Sequence, residues 1–143
     1  MQIVDANVLL YAVNERSEQH DDAKGWLDQA LSGRETVGFT WIALLAFVRL
    51  TTHPAVFPEP LSIEDAATIV RAWLAQPTAV VVEPTARHTD VLEGLLSDLG
   101  TAGNLVNDAH LAALALEHGA DIVSFDADFS RFEGIRWRQP KKH

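Results

Sequence analysis

The sequence contains no cysteine in 143 residues. That excludes a disulfide framework and any thiolate-ligated metal site, and it fits a reducing cytosol. No apolar run approaches the ~20 residues that a membrane-spanning helix needs. The N-terminal stretch has no basic region ahead of its apolar part, and Asp5 and Asn7 interrupt that part, so no secretory signal is expected. Repeats, low-complexity tracts and internal linkers are also missing. Positive charge is scarce: 11 Lys and Arg face 20 Asp and Glu, for a net charge of −9. Such a balance argues against bulk electrostatic binding of nucleic acid. The basic residues are also unevenly placed. Residues 131–143 hold Arg131, Arg136, Arg138, Lys141 and Lys142 against Glu133, which leaves +4 there and −13 on residues 1–130. A phosphate-bearing ligand therefore needs local basic groups, a metal, or both. The basic tail reads equally well as a solubilising, frayed terminus.

What is present is an ordinary globular composition, 48% hydrophobic and 22% charged, with the length of one domain over residues 1–143. Gln2 to Val4 reads as a short buried strand ending at Asp5, and Val8 to Val13 as the start of a helix. Ala23, Trp26, Leu27, Ala30 and Leu31 keep helical spacing up to Gly33. Thr36 to Phe39 is a second strand. Thr40 can cap a helix from Trp41 to Leu50 that is apolar nearly all round and reads as buried. A proline loop follows, and Ser62 with Asp65 resembles a capping box for a helix running to Ala75. Ala79 to Val82 is a third strand. Thr85 or Thr89 opens a helix that Gly100 ends, and a last strand is expected at Ile135 to Trp137. Strands alternating with helices predict an α/β fold with a mostly parallel sheet and helices on both faces.

Asn104 to Asp128 organises the rest. A turn at Thr101 to Asn104 opens a helix that Gly119 stops. A short strand then runs through Ile122, Val123 and Phe125. Asp108 falls in the first helical turn, facing the positive end of the dipole. Asp126 and Asp128 follow the strand, where open α/β sheets place ligands. Right-handed crossovers put the ends carrying Asp5 and Asp126 on one sheet edge, and Asp108 can close the ring. Carboxylates so gathered repel unless a cation compensates. Mg²⁺ takes carboxylate oxygens and keeps open positions for phosphate and water. The inferred chemistry is metal-assisted phosphodiester hydrolysis. Each aspartate taken singly also reads as a helix cap or as dipole compensation.

Ile3-Val4-Asp5-Ala6-Asn7, Phe47 to Thr52 with the loop through Phe57-Pro58, Asn104-Leu105-Val106 with Asp108 to Ala113, and Ser124 to Phe129 resemble PIN-domain ribonucleases of the VapC type. These are the toxin half of a type II toxin–antitoxin pair, and the matching stretches reach almost end to end. The resemblance implies a small α/β/α sandwich with four to five central strands. It also implies a cytoplasmic endoribonuclease dependent on Mg²⁺ or Mn²⁺, usually a homodimer, acting on RNA and silenced by a cognate antitoxin. Carried over position by position, Asp5, Asp108 and Asp126 become metal ligands, Asp128 an accessory catalytic carboxylate, and Asn7 and Ser124 supporting residues. The family's helical Glu is replaced here by Ala46, which lowers the expected metal affinity. Arg49 is read two ways, as a contact to RNA phosphate or as an ordinary ion-pairing residue. His53, His88 and His110 read as surface or supporting histidines, since the site already offers hard oxygen ligands. Trp26 and Trp73 fall on apolar helix faces and read as core. Two other functions are weighed. One is a PIN-like module that binds RNA or protein with little catalysis because of Ala46. The other is a phosphatase using Asp126 and Asp128, for which no lysine partner is evident near the late strands.

Overall fold

The computed structural model describes residues 1–100 and 103–141. Its chain order is β1 (Gln2–Val4), α1 (Ala6–Val13), α2 (His20–Leu31), β2 (Val37–Phe39), α3 (Trp41–Thr51), α4 (Ile63–Leu74), β3 (Ala79–Val81), α5 (His88–Leu99), α6 (Val106–His118), β4 (Asp121–Val123) and β5 (Trp137–Arg138). Short 3-10 turns lie at Gly103–Leu105 and Ala127–Arg131. The sheet order is β3-β2-β1-β4-β5, and every pairing is parallel.

Strand alternation decides the layers, because successive side chains point to opposite faces. Val4, Val37, Phe39 and Val123 pack with α1 to α4, while Ile3 and Ile122 pack with α5 and α6. The strands are therefore apolar on both faces, as a covered parallel sheet requires. Gly38 is needed for close approach. A Cβ there would lie 2.8 Å from Val82 Cγ2 and 3.0 Å from Ile3 Cγ1, so neighbouring side chains already fill its place. β1 and β4 are neighbours in register, Val4 opposite Val123, so the residues following both strands emerge side by side.

Several expected boundaries shift, each for a visible reason. Helix α3 is not buried all round: Trp41 is 49% exposed and Leu45 61%, which leaves an apolar face open. Neither Thr85 nor Thr89 caps α5. The N-cap position is Arg87, with no side-chain bond, and the Thr85 hydroxyl instead donates to Glu117 while accepting from the Arg87 amide. The last strand starts two residues late, because Gly134 takes φ 82° and the Ile135 amide closes a turn onto Phe132. Helix α2 ends on Ser32 instead of Gly33, while Gly100 and Gly119 do end α5 and α6 in left-handed conformation. Thr40 and Ser62 cap as expected, accepting from the amides of Ala43 and Asp65. The first half of the expected turn, Thr101 and Ala102, lies outside the described residues, as does Lys142 of the basic tail. Within the described part of that tail, Arg136 and Arg138 both grip the buried Asp121 carboxylate, which ties β5 to β4.

Candidate metal centre

Asp5 leaves β1 in extended conformation and caps α1, its Oδ1 accepting from the Ala6 amide at 2.8 Å. Its Oδ2 accepts from the Ser124 hydroxyl at 2.7 Å. Ser124 follows β4 and is wholly buried. Its oxygen also accepts from Asn7 Nδ2 at 3.1 Å and from the Asp126 amide at 2.9 Å. One donor and two acceptor positions are all that a hydroxyl has, and all are used. Asn7 in turn accepts from the Phe125 amide, and Trp137 donates its indole N–H to the Ser124 carbonyl. The loop after β4 is thus held at the amides of Ser124, Phe125 and Asp126 and at the Ser124 carbonyl. Asp126 then caps the following 3-10 turn, accepting from the Asp128 amide at 2.9 Å.

Asp108 comes from the other side, in the first turn of α6. One carboxylate oxygen from each of Asp108, Asp126 and Asp128 lies within 4.8 Å of the other two. Asp5 stands behind this triad, close enough for its charge to act on Asp108 and to feel that of Asp126. Four carboxylates from three separate chain regions are therefore brought together. The strand-end aspartates act as caps and as members of the cluster at once.

The electrostatics follow from this crowding. Burial, the charges of Asp126 and Asp5, a hydrogen bond with Asp126, and the charge of Asp128 push the Asp108 carboxyl up to about 7. Burial also raises Asp5, against the opposing bonds from Ser124 and Ala6. A set of hard oxygen donors crowded in this way is suited to a divalent cation. A cleft of about 160 Å³ opens beside Asp5 and Asp108, walled by Ile42, Ala43 and Ala46 of α3 and by Asn107 and Leu111 of α6. Ala46 faces the carboxylates across this cleft and contributes only a methyl group.

The other expected candidates fall elsewhere. Arg49 lines a neighbouring cavity with Ala46 and Asn107. His53 Nδ1 accepts from the Ala55 amide and caps its own loop. His88 and His110 belong to a relay that the sequence reading overlooked. Glu117, whose side chain is out of solvent, binds the Thr85 amide and hydroxyl and His88 Nδ1, and His88 Nε2 meets His110 Nδ1 at 2.9 Å. Burial pushes Glu117 up, but the bonds from Thr85 and His88 outweigh it and hold the carboxyl below its usual value. Burial, with the charge of His88, lowers His110. The relay ties α5 to α6. Its one legible signal was the spacing of His110 and Glu117, seven residues apart on one face of a helix. Trp26 is core, and Trp73 packs between Phe39 and Phe47.

A family model described as PIN domain matches residues 3–135. Ribonuclease VapC37 of Mycobacterium tuberculosis (strain ATCC 25618 / H37Rv) is 63% identical over 140 residues, covering 98% of this chain and 97% of that protein. Ribonuclease VapC33 of the same strain is 41% identical over 140 residues, covering 98% of each. Among solved structures, VapBC2 from Rickettsia felis bound to a DNA fragment from its promoter superposes with a TM-score of 0.73 at 17% identity, over 98% of both chains. Mycobacterium tuberculosis VapC20, a sarcin-ricin loop cleaving toxin, gives 0.62 at 20% identity, over 95% of this chain and 99% of that one. These superpositions show a shared fold.

The raised Asp108 carboxyl sets a pH dependence. Its folded pKa lies above the unfolded value, so its stabilisation is full below pH 3.8 and is lost as pH rises through about 7. His110, lowered in the fold, acts in the opposite sense near pH 6.5. The comparison of wild type with Asp108→Asn isolates the aspartate. In metal-free buffer, raising the pH from about 5 to 8 should lower the wild-type melting temperature relative to the variant. Parallel melting curves across that range would show that Asp108 is not strained by its neighbours.

Proposed function

The chain belongs to the PIN-domain family, and from that membership we propose that it is a toxin endoribonuclease that hydrolyses RNA phosphodiester bonds in the cytoplasm and is held in check by a cognate antitoxin. The observation that carries the reading is the convergence of Asp108, Asp126 and Asp128 with Asp5 behind them. The near-full-length likeness to ribonucleases, 63% and 41% identical, supports it. The proposed metal ligands are Asp5, Asp108 and Asp126, with Asp128 as the accessory carboxylate and Mg²⁺ or Mn²⁺ as the ion. A divalent ion at these oxygens supplies charge neutralisation for the phosphate, polarises the phosphorus–oxygen bond and lowers the pKa of a water poised for in-line attack.

The chain's own residues do the rest. Ser124 and Asn7 fix Asp5 and the Asp126 loop, so the carboxylates keep their spacing without relaxing apart. Asp108, pushed up to about 7 by burial and its acidic neighbours, would be held in its ionised form by a bound cation. Arg49, on the rim beside Ala46, is the proposed contact to RNA phosphate. Residues 1–143 are read as one PIN-like domain. The open apolar face at Trp41 and Leu45 of α3, beside a cavity of about 310 Å³ that Val70 and Leu74 of α4 also line, is the proposed surface for protein partners. A second copy in a two-fold dimer uses part of it, and the antitoxin extends a segment from there toward the acidic cluster. Among the described residues no helix is long and apolar enough to cross a membrane.

Asp108→Asn should leave the fold intact and reduce Mg²⁺-dependent RNA cleavage by more than about 100-fold, since even outer-shell partners are worth 10- to 100-fold. Full activity at equal Mg²⁺ would remove Asp108 from the ligand set. Ala46→Glu should tighten Mn²⁺ binding in calorimetric titration. It should also lower the metal-free melting temperature, because a further carboxylate joins a repelling group. If neither changes, Ala46 has no electrostatic access to the centre. Sedimentation at micromolar concentration should show a dimer, and a monomer alone would contradict the assignment of the α3–α4 face.

A further inference from the structure

Ala46 does more than thin the acidic ring. Ile42, Ala46 and Arg49 lie at i, i+4 and i+7 of α3 and form one stripe along the helix. Its upper part walls the cleft at Asp5 and Asp108, and its lower part walls a larger cavity of roughly 540 Å³. The two spaces share Ile42, Ala46 and Asn107, so they adjoin along one wall, and at Ala46 that wall is a single methyl group. That volume falls in the ~300–1,000 Å³ range of small-ligand pockets.

The lining combines an apolar surface with a few polar groups, a composition that can seat a flipped base between apolar side chains. Ile42, Leu45, Val48 and Ile63 give an apolar floor, with Leu45 and Ile63 each 61% exposed. Two polar groups converge on it, the Asn107 amide and the Arg49 guanidinium, and neither side chain has a hydrogen-bond or ion-pair partner among the described residues. The Thr52 hydroxyl spends its proton on the Val48 carbonyl. Arg49 brings a cation to the rim of the acidic centre in a chain of net charge −9. Placed one step beyond four carboxylates, it complements a polyanion that enters the acidic centre and continues past it. An apolar floor takes the face of a base, an amide reads its polar edge, and a guanidinium holds the adjoining phosphate in bidentate fashion.

Resting on the ribonuclease reading above, we propose that the cavity formed by Ile42, Leu45, Ala46, Arg49, Ile63 and Asn107 seats the unpaired base of the nucleotide next to the scissile phosphodiester. A base in a duplex is stacked out of reach, so the base seated here is everted from its stack. Base identity is then read at Asn107, and the flanking phosphate is held at Arg49.

The test uses the full chain with Mn²⁺ and a library of synthetic RNA hairpins, followed by abasic substitution at each nucleotide around the preferred cut. One flanking abasic site should lower kcat/KM roughly tenfold or more, while the others change it less than about twofold. Ile63→Trp fills the cavity from an exposed position at the start of α4, and it should impose a similar loss on intact RNA while leaving the abasic RNA unaffected. Asn107→Ala should flatten the preference for base identity. Uniform cleavage of every abasic hairpin, or an equal loss with Ile63→Trp on intact and abasic RNA, would overturn the pocket while leaving the ribonuclease reading standing. Unchanged cleavage by Ile63→Trp together with loss of antitoxin co-purification would overturn it also, and would give the cavity to the protein partner. If the wild type cuts no hairpin, the ribonuclease reading fails, and methyl NMR with nucleoside 5′-monophosphates still decides the pocket. Shifts of the Ile42, Leu45 and Ile63 methyls that vanish on cavity filling support a base seat, and unshifted methyls exclude it.

Discussion

The buried Ser124 hydroxyl donates to Asp5 and accepts from Asn7 and from the Asp126 amide, and the centre is built outward from that atom. Its backbone is equally committed, with the amide bound to Arg138 and the carbonyl to the Trp137 indole. Edge strand β5, otherwise remote from the carboxylates, is in this way tied to the loop that carries Asp126. The clasp of Asp121 by Arg136 and Arg138 holds that edge strand in turn. A fully satisfied polar network of this kind rigidifies its surroundings, and leaving one member unpaired costs more than the bond itself contributes.

Rigidity matters because the groups it positions repel one another. Asp5, Asp108, Asp126 and Asp128 would separate if the loop and helix ends could move. The parallel pairing of β1 with β4, the caps at Asp5 and Asp126, and the first turn of α6 prevent that. Burial first, and then the charges of Asp126, Asp5 and Asp128, push the Asp108 carboxyl up to about 7. On the proposed reading, a cation bound here would relieve that crowding. Ala46 tunes the arrangement. A methyl group at that position adds no anionic ligand and no further repulsion, and it leaves the wall beside the centre open.

Much of this was legible in the residues, and the parts that were not share a cause. Short apolar runs flanked by Asp5 and Asp126, and helical periods ended by Gly100 and Gly119, specify strands and helix ends locally, so the α/β order could be read. The meeting of Asp5 and Asp126 followed from the handedness of parallel crossovers, which needs no side-chain detail. Long-range hydrogen bonds carry no such local mark. Thr85 looked like a helix cap and serves Glu117 across 32 residues instead. Trp137 could not be linked to Ser124 by any spacing rule. The apolar surface of α3 was read as buried because periodicity records apolarity and not what covers it. Trp41 and Leu45 remain open. Asn107 went unremarked since a lone polar residue beside Asp108 has no meaning until Ala46 and Arg49 stand opposite.

The central claim is that these carboxylates form a divalent-cation centre. Anomalous diffraction from crystals grown with Mn²⁺ tests it most directly. The account predicts a manganese peak in contact with carboxylate oxygens of Asp108 and Asp126, within reach of Asp5 or Asp128. Saturating Mn²⁺ with no peak at that cluster, in crystals where its four side chains are ordered, would contradict it.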